Sequence, residues 1–365
     1  MQTNKKIVAI IGTNGVPASY GGFETLVEYL TKELRNDFDF TVYCSSIYKK
    51  KDRLESFNKS KLIYLPLKAN GFQSILYDLI STFHAWFKSD ILLILGPAAG
   101  FILPFNIFFK KKIITNHGGL NEWEREKLSF FQRKYAYINH KIAGLNSDKN
   151  IADNLPLKKS LFNSFGISSN VIEYGGDHTK IEEIPSKLLK KYSFLSNSYT
   201  LCVARAQIDN NLHLLIETFK QLPNNILVII SNWNISKYGR ELWTKNQGIN
   251  NIFLIPAVYE KYDLNVIRSN TELYIHSHSQ CGTSPSLVEA MNYNIPIICY
   301  DVETNRETTQ NKSFYFNDSD SLMSLIKNLL PEDLIELKKN MYLLAKKKYT
   351  WRNISNKYAK LILEL

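Results

Sequence analysis

Short apolar runs alternate with amphipathic stretches from one end of the chain to the other. The first run, Lys6–Ile11, is nearly continuous, and Phe23, Leu26 and Val27 then begin a pattern with the spacing of one helix face. Apolar runs of this length between helical patterns predict buried, mostly parallel strands. The strands predicted in the first half are Lys6–Ile11, Phe40–Cys44, Leu62–Leu65, Asp90–Leu95, Ile113–Thr115, Lys141–Leu145 and Val171–Glu173.

The second half of the chain repeats this alternation. Its predicted strands are Tyr199–Ala204, Ile226–Ile230, Ile252–Ile255, Leu273–Ile275 and Ile295–Tyr300. Its predicted helices are Leu212–Phe219, Tyr238–Lys245, Lys261–Ile267, Ser284–Met291 and Ser321–Leu329, followed by a helical stretch, Glu332–Leu365, that breaks near Tyr349. Two such series predict an α/β fold of two doubly wound domains, with strand C-termini facing a ligand cleft.

The predicted domains are residues 1–178 and residues 199–348, with residues 349–365 as a terminal helix. Residues 179–198 are charged and rich in Lys and Ser, which predicts a linker. A length of 365 residues also favours two domains. The first apolar run is too short for a signal peptide or a membrane span.

Composition and charge narrow the class of protein. A hydrophobic fraction of 44% is typical of a globular protein. Three of the four cysteines lie in or beside apolar runs, which predicts buried free thiols in a reducing compartment. The net charge is +11, and residues 1–175 hold 23 Lys/Arg against 15 Asp/Glu, a difference of +8. Basic runs there alternate with phenylalanines, which favours an anionic membrane surface as a partner. Nucleic acid is a rival partner, but no nucleic-acid recognition motif accompanies the charge. A solvated basic face remains an alternative.

Three loops carry candidate chemistry. Paired glycines follow the first strand, where a ligand could approach the backbone closely. Arg205 follows the first strand of the second half and is placed to bind a phosphate through two hydrogen bonds. The run from Gly282 to Ser286 predicts a turn into a helix whose free N–H groups suit a diphosphate, with Glu289 one turn further for a ribose. An ordinary capped helix start is the alternative.

Three blocks carry a resemblance to a known family. They are G-T-x-G-x-P-x-x-Y-G-G-F-E-T at Gly12–Thr25, R-x-x-x-x-N-N at Arg205–Asn211 and G-T-x-P-S-L-x-E-A-M at Gly282–Met291. Over nearly its whole length the chain resembles bacterial retaining glycosyltransferases of family 4, in their rhamnosyltransferase-like branch with a DUF1972-type N-terminal domain. The resemblance implies the GT-B fold, two Rossmann-like domains that face a central cleft. It also implies a donor held mainly by the second half, an acceptor held by the first, and a last helix that returns to the first domain.

The resemblance implies three sets of site residues. Catalysis is expected of Arg205, Glu289 and His117. Donor binding is expected of Gly15, Gly21, Gly22, Asn210, Gly282, Thr283, Ser284 and Ser286. Acceptor binding is expected of Tyr20, Phe23, Glu24, Asn116, Trp123 and Arg125.

The chain departs from the wider family at three points. Cys281 stands where that family has a Glu that grips the donor sugar, Asn210 and Asn211 stand near the place of a Lys, and Gly118 stands where the branch often has Asp. Loss of the Glu favours a deoxysugar donor. Asp318-Ser319-Asp320 spells a metal-binding DxD, but its position predicts a helix cap. No metal and no cofactor are expected.

The sequence therefore predicts a metal-independent glycosyltransferase that acts with retention at the inner face of the cell membrane. Its expected donor is dTDP-rhamnose, and its expected acceptor is an undecaprenyl-diphosphate-linked saccharide of a surface polysaccharide such as O-antigen or capsule. A transferase that uses a UDP-hexose or UDP-N-acetylhexosamine is the alternative. From another class, a non-catalytic subunit that binds a nucleotide sugar remains open.

Overall fold

The computed structural model describes residues 5–18, 21–119, 121–125 and 128–365, with Glu122 described by its backbone alone. The chain forms two compact units. Unit 1 comprises Met1–Tyr174 together with Trp351–Leu365, and unit 2 comprises Gly175–Thr350.

Unit 1 is built on one sheet of mainly parallel strands. The strands are β1 Ile7–Ile11, β2 Asp39–Cys44, β3 Ser56–Phe57, β4 Ser60–Tyr64, β5 Ile91–Leu95, β6 Lys112–Asn116, β7 Lys149–Ala152 and β8 Asn170–Val171. They lie in the order β3-β4-β2-β1-β5-β6-β7-β8, and the β3–β4 pair is antiparallel. The helices between them are α1 Gly22–Glu33, α2 Ser74–Lys88, α3 Phe130–Leu145 and α4 Leu155–Phe165. A 3₁₀ segment, Gly100–Phe108, joins β5 to β6. The central strands β1 and β5 are almost fully buried, as apolar strands covered on both faces should be.

Unit 2 has a second, wholly parallel sheet. The strands are β9 Thr200–Val203, β10 Leu227–Ser231, β11 Ile252–Pro256, β12 Leu273–His276, β13 Ile297–Tyr300 and β14 Phe314–Phe316, in the order β11-β10-β9-β12-β13-β14. The helices are α5 Ser186–Lys191, α6 Leu212–Lys220, α7 Lys237–Lys245, α8 Lys261–Ser269, α9 Pro285–Asn292, α10 Glu303–Thr309, α11 Ser319–Asn328 and α12 Pro331–Lys348. Both sheets have the doubly wound order, in which neighbouring loops at the strand C-termini form the binding edge.

The last helix, α13 Trp351–Leu363, belongs to unit 1. Trp351 stacks on Tyr29 of α1 with ring centroids 5.0 Å apart. The Tyr358 hydroxyl accepts a hydrogen bond of 2.8 Å from the Asn116 side chain, and Lys357 forms an ion pair with Glu173. The predicted break near Tyr349 is confirmed, because α12 ends at Lys348 and α13 begins at Trp351.

Two of the sequence-based predictions differ from the structure. Lys141–Leu145 is the end of α3 rather than a strand, and the strand follows at Lys149–Ala152. The segment Lys141–Leu145 is buried on one side only, as expected of a helix, with Ala143 and Gly144 buried and Leu145 exposed. The predicted linker, residues 179–198, is also part of unit 2, because it contains α5 and buries Phe194 against the rings of Tyr199 and Phe253.

The positions of the cysteines agree with the sequence-based expectation. None of the four cysteines forms a disulfide bond, and Cys44, Cys202 and Cys299 are buried on strands. In the part of the chain that the structure describes, no helix is both long and apolar enough to cross a bilayer.

Candidate active site

The turn from β12 into α9 forms as predicted. Pro285 occupies the first turn of α9, where its missing N–H costs nothing. Ser284 precedes it in an extended conformation, and its hydroxyl lies 3.1 Å from the Ser286 hydroxyl. Thr283 and Ser284 are buried, at 1% and 7% exposure. The N-terminus of α9 therefore offers backbone N–H groups beside two small hydroxyls, a suitable environment for an anion.

The loop after β9 is tied to this turn. Asn210 donates from its side chain to the Arg205 carbonyl at 2.7 Å, and its own carbonyl accepts from the Ser277 hydroxyl at 2.6 Å. The Ser279 backbone N–H and hydroxyl both donate to the Asp209 carbonyl at 2.9 Å. Because β9 and β12 are neighbouring strands, these bonds join their two loops at one edge of the sheet.

Arg205 lies on that loop with an exposed side chain. Its position after a strand end leaves the guanidinium available for a ligand from solvent. Asn210, in contrast, is 4% exposed and donates its amide to the Arg205 backbone. The geometry therefore favours a loop-holding role for Asn210 over the direct donor contact that the sequence predicts.

Glu289 lies one turn into α9, and both of its carboxylate oxygens have protein partners. Arg268 Nη1 is 2.5 Å from Oε2, and His178 Nε2 is 3.2 Å from Oε1. Burial alone would raise the pKa of Glu289, but the Arg268 charge and the His178 hydrogen bond lower it to about 2. The side chain keeps 15% exposure, so a ligand hydroxyl can still reach an ionised carboxylate.

Arg268 and His178 were not found by sequence reasoning. Arg268 sits among Val266 and Ile267 on the buried side of α8, and the only signal was a charged residue within an apolar stripe. His178 follows two glycines in a segment without regular structure, where nothing in the pattern marks it.

Cys281 occupies the place where the resemblance expects a Glu. Its sulfur lies 3.5 Å from Asn305 Oδ1, and Asn305 donates from its side chain to the carbonyls of His278 and Tyr300, each at 2.9 Å. The start of α10 therefore packs beside Cys281, and the carboxylate is replaced by a partly exposed thiol.

In unit 1, the loop after β1 is held by buried polar groups. Glu24 is 7% exposed, and its Oε1 accepts from the Asn14 backbone N–H at 2.8 Å and from the Asn14 side chain at 2.9 Å. Ser45 donates to Asn14 Oδ1, and Tyr77 donates to the Thr13 carbonyl. Glu24 thus organises the loop, which disfavours its predicted contact with an acceptor.

The glycines of this loop are required by its backbone. Gly15 has a φ of +112°, and a Cβ there would lie 2.5 Å from the Cys44 sulfur. Gly21 has a φ of +125°, and a Cβ there would meet the Glu24 carboxylate. Gly22 begins α1. Phe23 lies over the ends of β5 and β6, where its ring is the nearest group to Gly96 and Gly118.

The residues after β6 are mostly internal, contrary to prediction. His117 is fully buried, with Nδ1 3.1 Å from His140 Nδ1 and Nε2 2.9 Å from Asn150 Oδ1. Burial and the neighbouring His140 lower the pKa of His117 to about 3. Since both ring nitrogens have protein partners and the ring stays neutral, a catalytic role for His117 is not supported.

Asn116 and Trp123 also serve the interior of unit 1. Asn116 donates to Tyr358 and accepts from the Gly118 N–H at 2.9 Å. Trp123 is 5% exposed and packs on His140 and Phe165. Of the predicted acceptor set, Phe23 and Arg125 remain partly exposed, and Tyr20 lies outside the described residues.

The DxD sequence caps a helix, as predicted. Asp318 is the N-cap of α11 and accepts from the Ser321 N–H at 2.8 Å. Among the residues that the structure describes, no three His, Cys, Asp or Glu side chains are grouped as metal ligands.

Two family models match the chain. The model described as "Domain of unknown function (DUF1972)" matches residues 5–177, and the model described as "Glycosyl transferases group 1" matches residues 187–348. No curated protein matches the chain.

Solved glycosyltransferase structures share the fold over its full length. Sucrose-phosphate synthase from Thermosynechococcus elongatus superposes with a TM-score of 0.81 at 15% identity, covering 99% of each chain. HepE from Anabaena in complex with UDP-glucose has a TM-score of 0.76 at 16% identity, covering 99% of this chain and 100% of that one. A glycosyltransferase from Rickettsia africae has a TM-score of 0.73 at 16% identity, covering 99% of each chain. The chain therefore has the α/β fold of GT-B glycosyltransferases, and its two halves are similar to the DUF1972 domain and to the glycosyl transferases group 1 domain, respectively.

Proposed function

We propose that this protein transfers a sugar from a nucleoside-diphosphate sugar to a lipid-linked saccharide. The observation that carries the proposal is the edge of the unit 2 sheet, where the exposed Arg205 and the N-terminus of α9 stand on joined loops, with the ionised Glu289 further along that helix. A diphosphate is stabilised by positive charge and N–H donors, and the free hydroxyls of a nucleoside sugar (two in ribose, one in deoxyribose) can donate to a carboxylate. HepE and the trehalose-6-phosphate protein of E. coli, whose structures hold UDP-glucose and UDP-2-fluoro glucose, support a nucleotide-sugar donor.

The proposed donor is dTDP-rhamnose. Cys281 and the neutral amide of Asn305 supply no carboxylate at the place where the resemblance expects a grip on sugar hydroxyls. A deoxysugar has fewer hydroxyls to hold, so it fits this neutral surface better than a hexose. UDP-glucose is the second candidate, favoured by the UDP-sugar complexes of the structural neighbours.

The proposed chemistry depends on charge that develops on the leaving diphosphate. Arg205 and the positive end of α9 stabilise that charge, which is the kind of preorganised electrostatic effect that lowers barriers most. The bond between the anomeric carbon and the diphosphate breaks, and the acceptor hydroxyl bonds to that carbon from the same face while its proton passes to an oxygen of the leaving diphosphate, so the anomeric configuration is retained. The proposal assigns no metal and no cofactor to the reaction.

A panel of donors tests this function directly. The purified protein is incubated with dTDP-rhamnose, UDP-glucose and UDP-N-acetylglucosamine, with and without a polyprenyl-diphosphate-linked saccharide, and nucleotide release is measured. Arg205→Ala should lower the rate by about 10²–10³-fold, since it removes one donor to the developing charge. Arg240→Ala is the control, because Arg240 is also exposed in unit 2 and bonds only the Asn234 carbonyl among the contacts described. No release from any donor, with or without the acceptor, would favour a non-catalytic, nucleotide-sugar-binding subunit.

We propose further that unit 1 binds the cytoplasmic face of an anionic membrane. Phe83 and Phe87 of α2 pack on Phe109 yet are 54% and 61% exposed, and Phe105 and Phe108 beside them are 56% and 77% exposed. Exposed lysines follow the phenylalanines in the sequence, Lys88 after Phe87 and Lys110 after Phe109. Exposed aromatic rings beside basic side chains suit a surface of anionic lipid. The absence of disulfide bonds among the four cysteines supports a reducing compartment.

Vesicle co-sedimentation tests this surface. Wild-type protein should bind phosphatidylglycerol vesicles and bind phosphatidylcholine vesicles weakly. Phe105→Ser/Phe108→Ser should release the protein, whereas Phe162→Ser on α4, where the ring is 60% exposed, should not. Equal binding of the double variant and the wild type would contradict the assignment.

A further inference from the structure

Arg268 is a fully internal guanidinium whose described ion pair is with Glu289. Its side chain is 6% exposed, and Nη1 lies 2.5 Å from the carboxylate. Its Nε is buried and has no hydrogen-bond partner among the described residues. A buried arginine with an unsatisfied donor lowers the free energy of unfolding, because the desolvated N–H group gains no hydrogen bond in return. Its presence therefore indicates a function beyond packing.

Two phenols enclose the same pair. Tyr274 on β12 and Tyr293 after α9 are both buried, at 0% and 3% exposure. Tyr293 donates to Asn265 Oδ1 at 2.5 Å, and Tyr274 donates to the Val203 carbonyl at 3.4 Å. Because hydrogen bonds hold both tyrosine side chains in place, the guanidinium has little freedom to move away from Glu289.

The second oxygen of Glu289 is held by the first segment of unit 2. Gly176 donates its N–H to the Tyr349 carbonyl at 2.9 Å, and a Cβ on Gly176 would lie 2.4 Å from the Val288 carbonyl. The segment is therefore docked against α9 at the residue before Glu289. Two positions later, His178 Nε2 reaches Glu289 Oε1 at 3.2 Å.

We propose that Arg268 and His178 are positioning residues that keep the Glu289 carboxylate oriented for the sugar hydroxyls of the donor nucleoside, which are the 2′ and 3′ hydroxyls in a UDP donor and the 3′ hydroxyl alone in a dTDP donor. Arg268 fixes one oxygen and His178 the other, and each oxygen retains a lone pair for a ribose hydroxyl. The inference rests on the proposed function, because it assumes that a nucleoside diphosphate binds unit 2.

Calorimetric titration of the full chain with matched nucleotides tests the proposal. The probes are UDP against 2′,3′-dideoxy-UDP and dTDP against 3′-deoxy-dTDP, since the second member of each pair lacks the hydroxyls that Glu289 would accept. The variants are Arg268→Met and Arg268→Lys, and His178→Ala and His178→Gln. The control is Lys191→Met, which removes an ion pair to Asp263 on the same helix, α8. Melting temperatures show whether each variant is folded.

Wild-type protein should prefer the hydroxylated nucleotide by about tenfold or more. Arg268→Met should remove most of that preference while it leaves the affinity for the deoxygenated nucleotide within about twofold. Arg268→Lys and His178→Gln should restore part of the preference, because each keeps a donor near the carboxylate. Lys191→Met should bind both probes as the wild type does. If Arg268→Met does not fold, the Arg268→Lys and His178 variants provide the same comparison.

Four outcomes would overturn the proposal. Equal weakening of both probes by the variants would assign Arg268 and His178 to general folding, and unchanged binding would remove any role for them. A wild type that binds both probes equally well would show that Glu289 does not hold the ribose. Absence of binding by either nucleotide pair to the wild type would instead refute the proposed function, and this inference with it.

Discussion

Replacing Glu289 by Gln should destabilise the protein in a way that depends on pH. The carboxylate has its pKa lowered from an ordinary 4.5 to about 2, chiefly by the Arg268 charge acting against burial. A shift of this size corresponds to roughly 3 kcal/mol of stability. Because the folded pKa is the lower one, this contribution is fully present above pH 4.5 and is lost as the pH falls towards 2.

The stability difference between wild type and Glu289→Gln should follow that curve. It should be roughly 3 kcal/mol or more at pH 7, stay nearly constant down to pH 5, and shrink by about 2 kcal/mol at pH 3. The uncompensated Arg268 adds a further cost that does not vary over this range. Urea titrations of both proteins at pH 7, 5, 4 and 3, followed by tryptophan fluorescence, measure the difference. A gap that is the same at every pH would refute the buried ion pair as its source.

Three smaller predictions concern other parts of the molecule. Gly21→Ala should lower thermal stability by about 1–3 kcal/mol, because its φ of +125° is strained for alanine and the new methyl would displace Glu24; an unchanged melting curve would contradict the loop geometry. Tyr358→Phe should cost about 1–3 kcal/mol in urea titrations by leaving the buried Asn116 amide without its acceptor, and a loss below about 0.5 kcal/mol would argue against that bond. Cys281 should react first with a disulfide reagent at pH 8, because burial raises the thiol pKa of the other three cysteines to about 11 or 12; equal rates for two or more thiols would be inconsistent with their burial.

The apolar pattern predicted most of the sheet positions. Buried parallel strands such as β5 and β10 leave continuous apolar runs in the sequence, and such runs are hard to mistake. The strand predicted at Lys141–Leu145 failed because Ile142, Ala143 and Leu145 give a short apolar run of either type, and only the capping box at Ser129 and Gln132 reveals the helix.

The hydrophobic pattern of the sequence did not predict the short elements. Strand β3 has two residues and strand β14 has three, and helix α10 is polar along its length, so none offers a period to detect. The predicted linker failed for a different reason. Its lysines and serines cover the exposed positions, while Leu188, Phe194 and Leu195 are buried in unit 2.

The sequence predicted those parts of the candidate site that depend on a few neighbouring residues. A glycine with positive φ, a helix that starts after two hydroxyls, and an arginine at a strand end are all visible in the sequence. Partners at long sequence distance were not visible. The pairing of Glu289 with Arg268 and His178 exists only because α9, α8 and the segment after Gly175 are brought together by the fold. For the same reason, Asn116 and Trp123 resembled site residues until their buried partners were known.

A crystal structure of the protein with bound UDP tests the central claim most directly. The account predicts the diphosphate oxygens within hydrogen-bond distance, about 3 Å, of the backbone N–H groups between Thr283 and Ser286 and of the Arg205 guanidinium, with the ribose hydroxyls on Glu289. Density for UDP elsewhere on the chain, with the start of α9 bare and Glu289 paired only with Arg268 and His178, would contradict it.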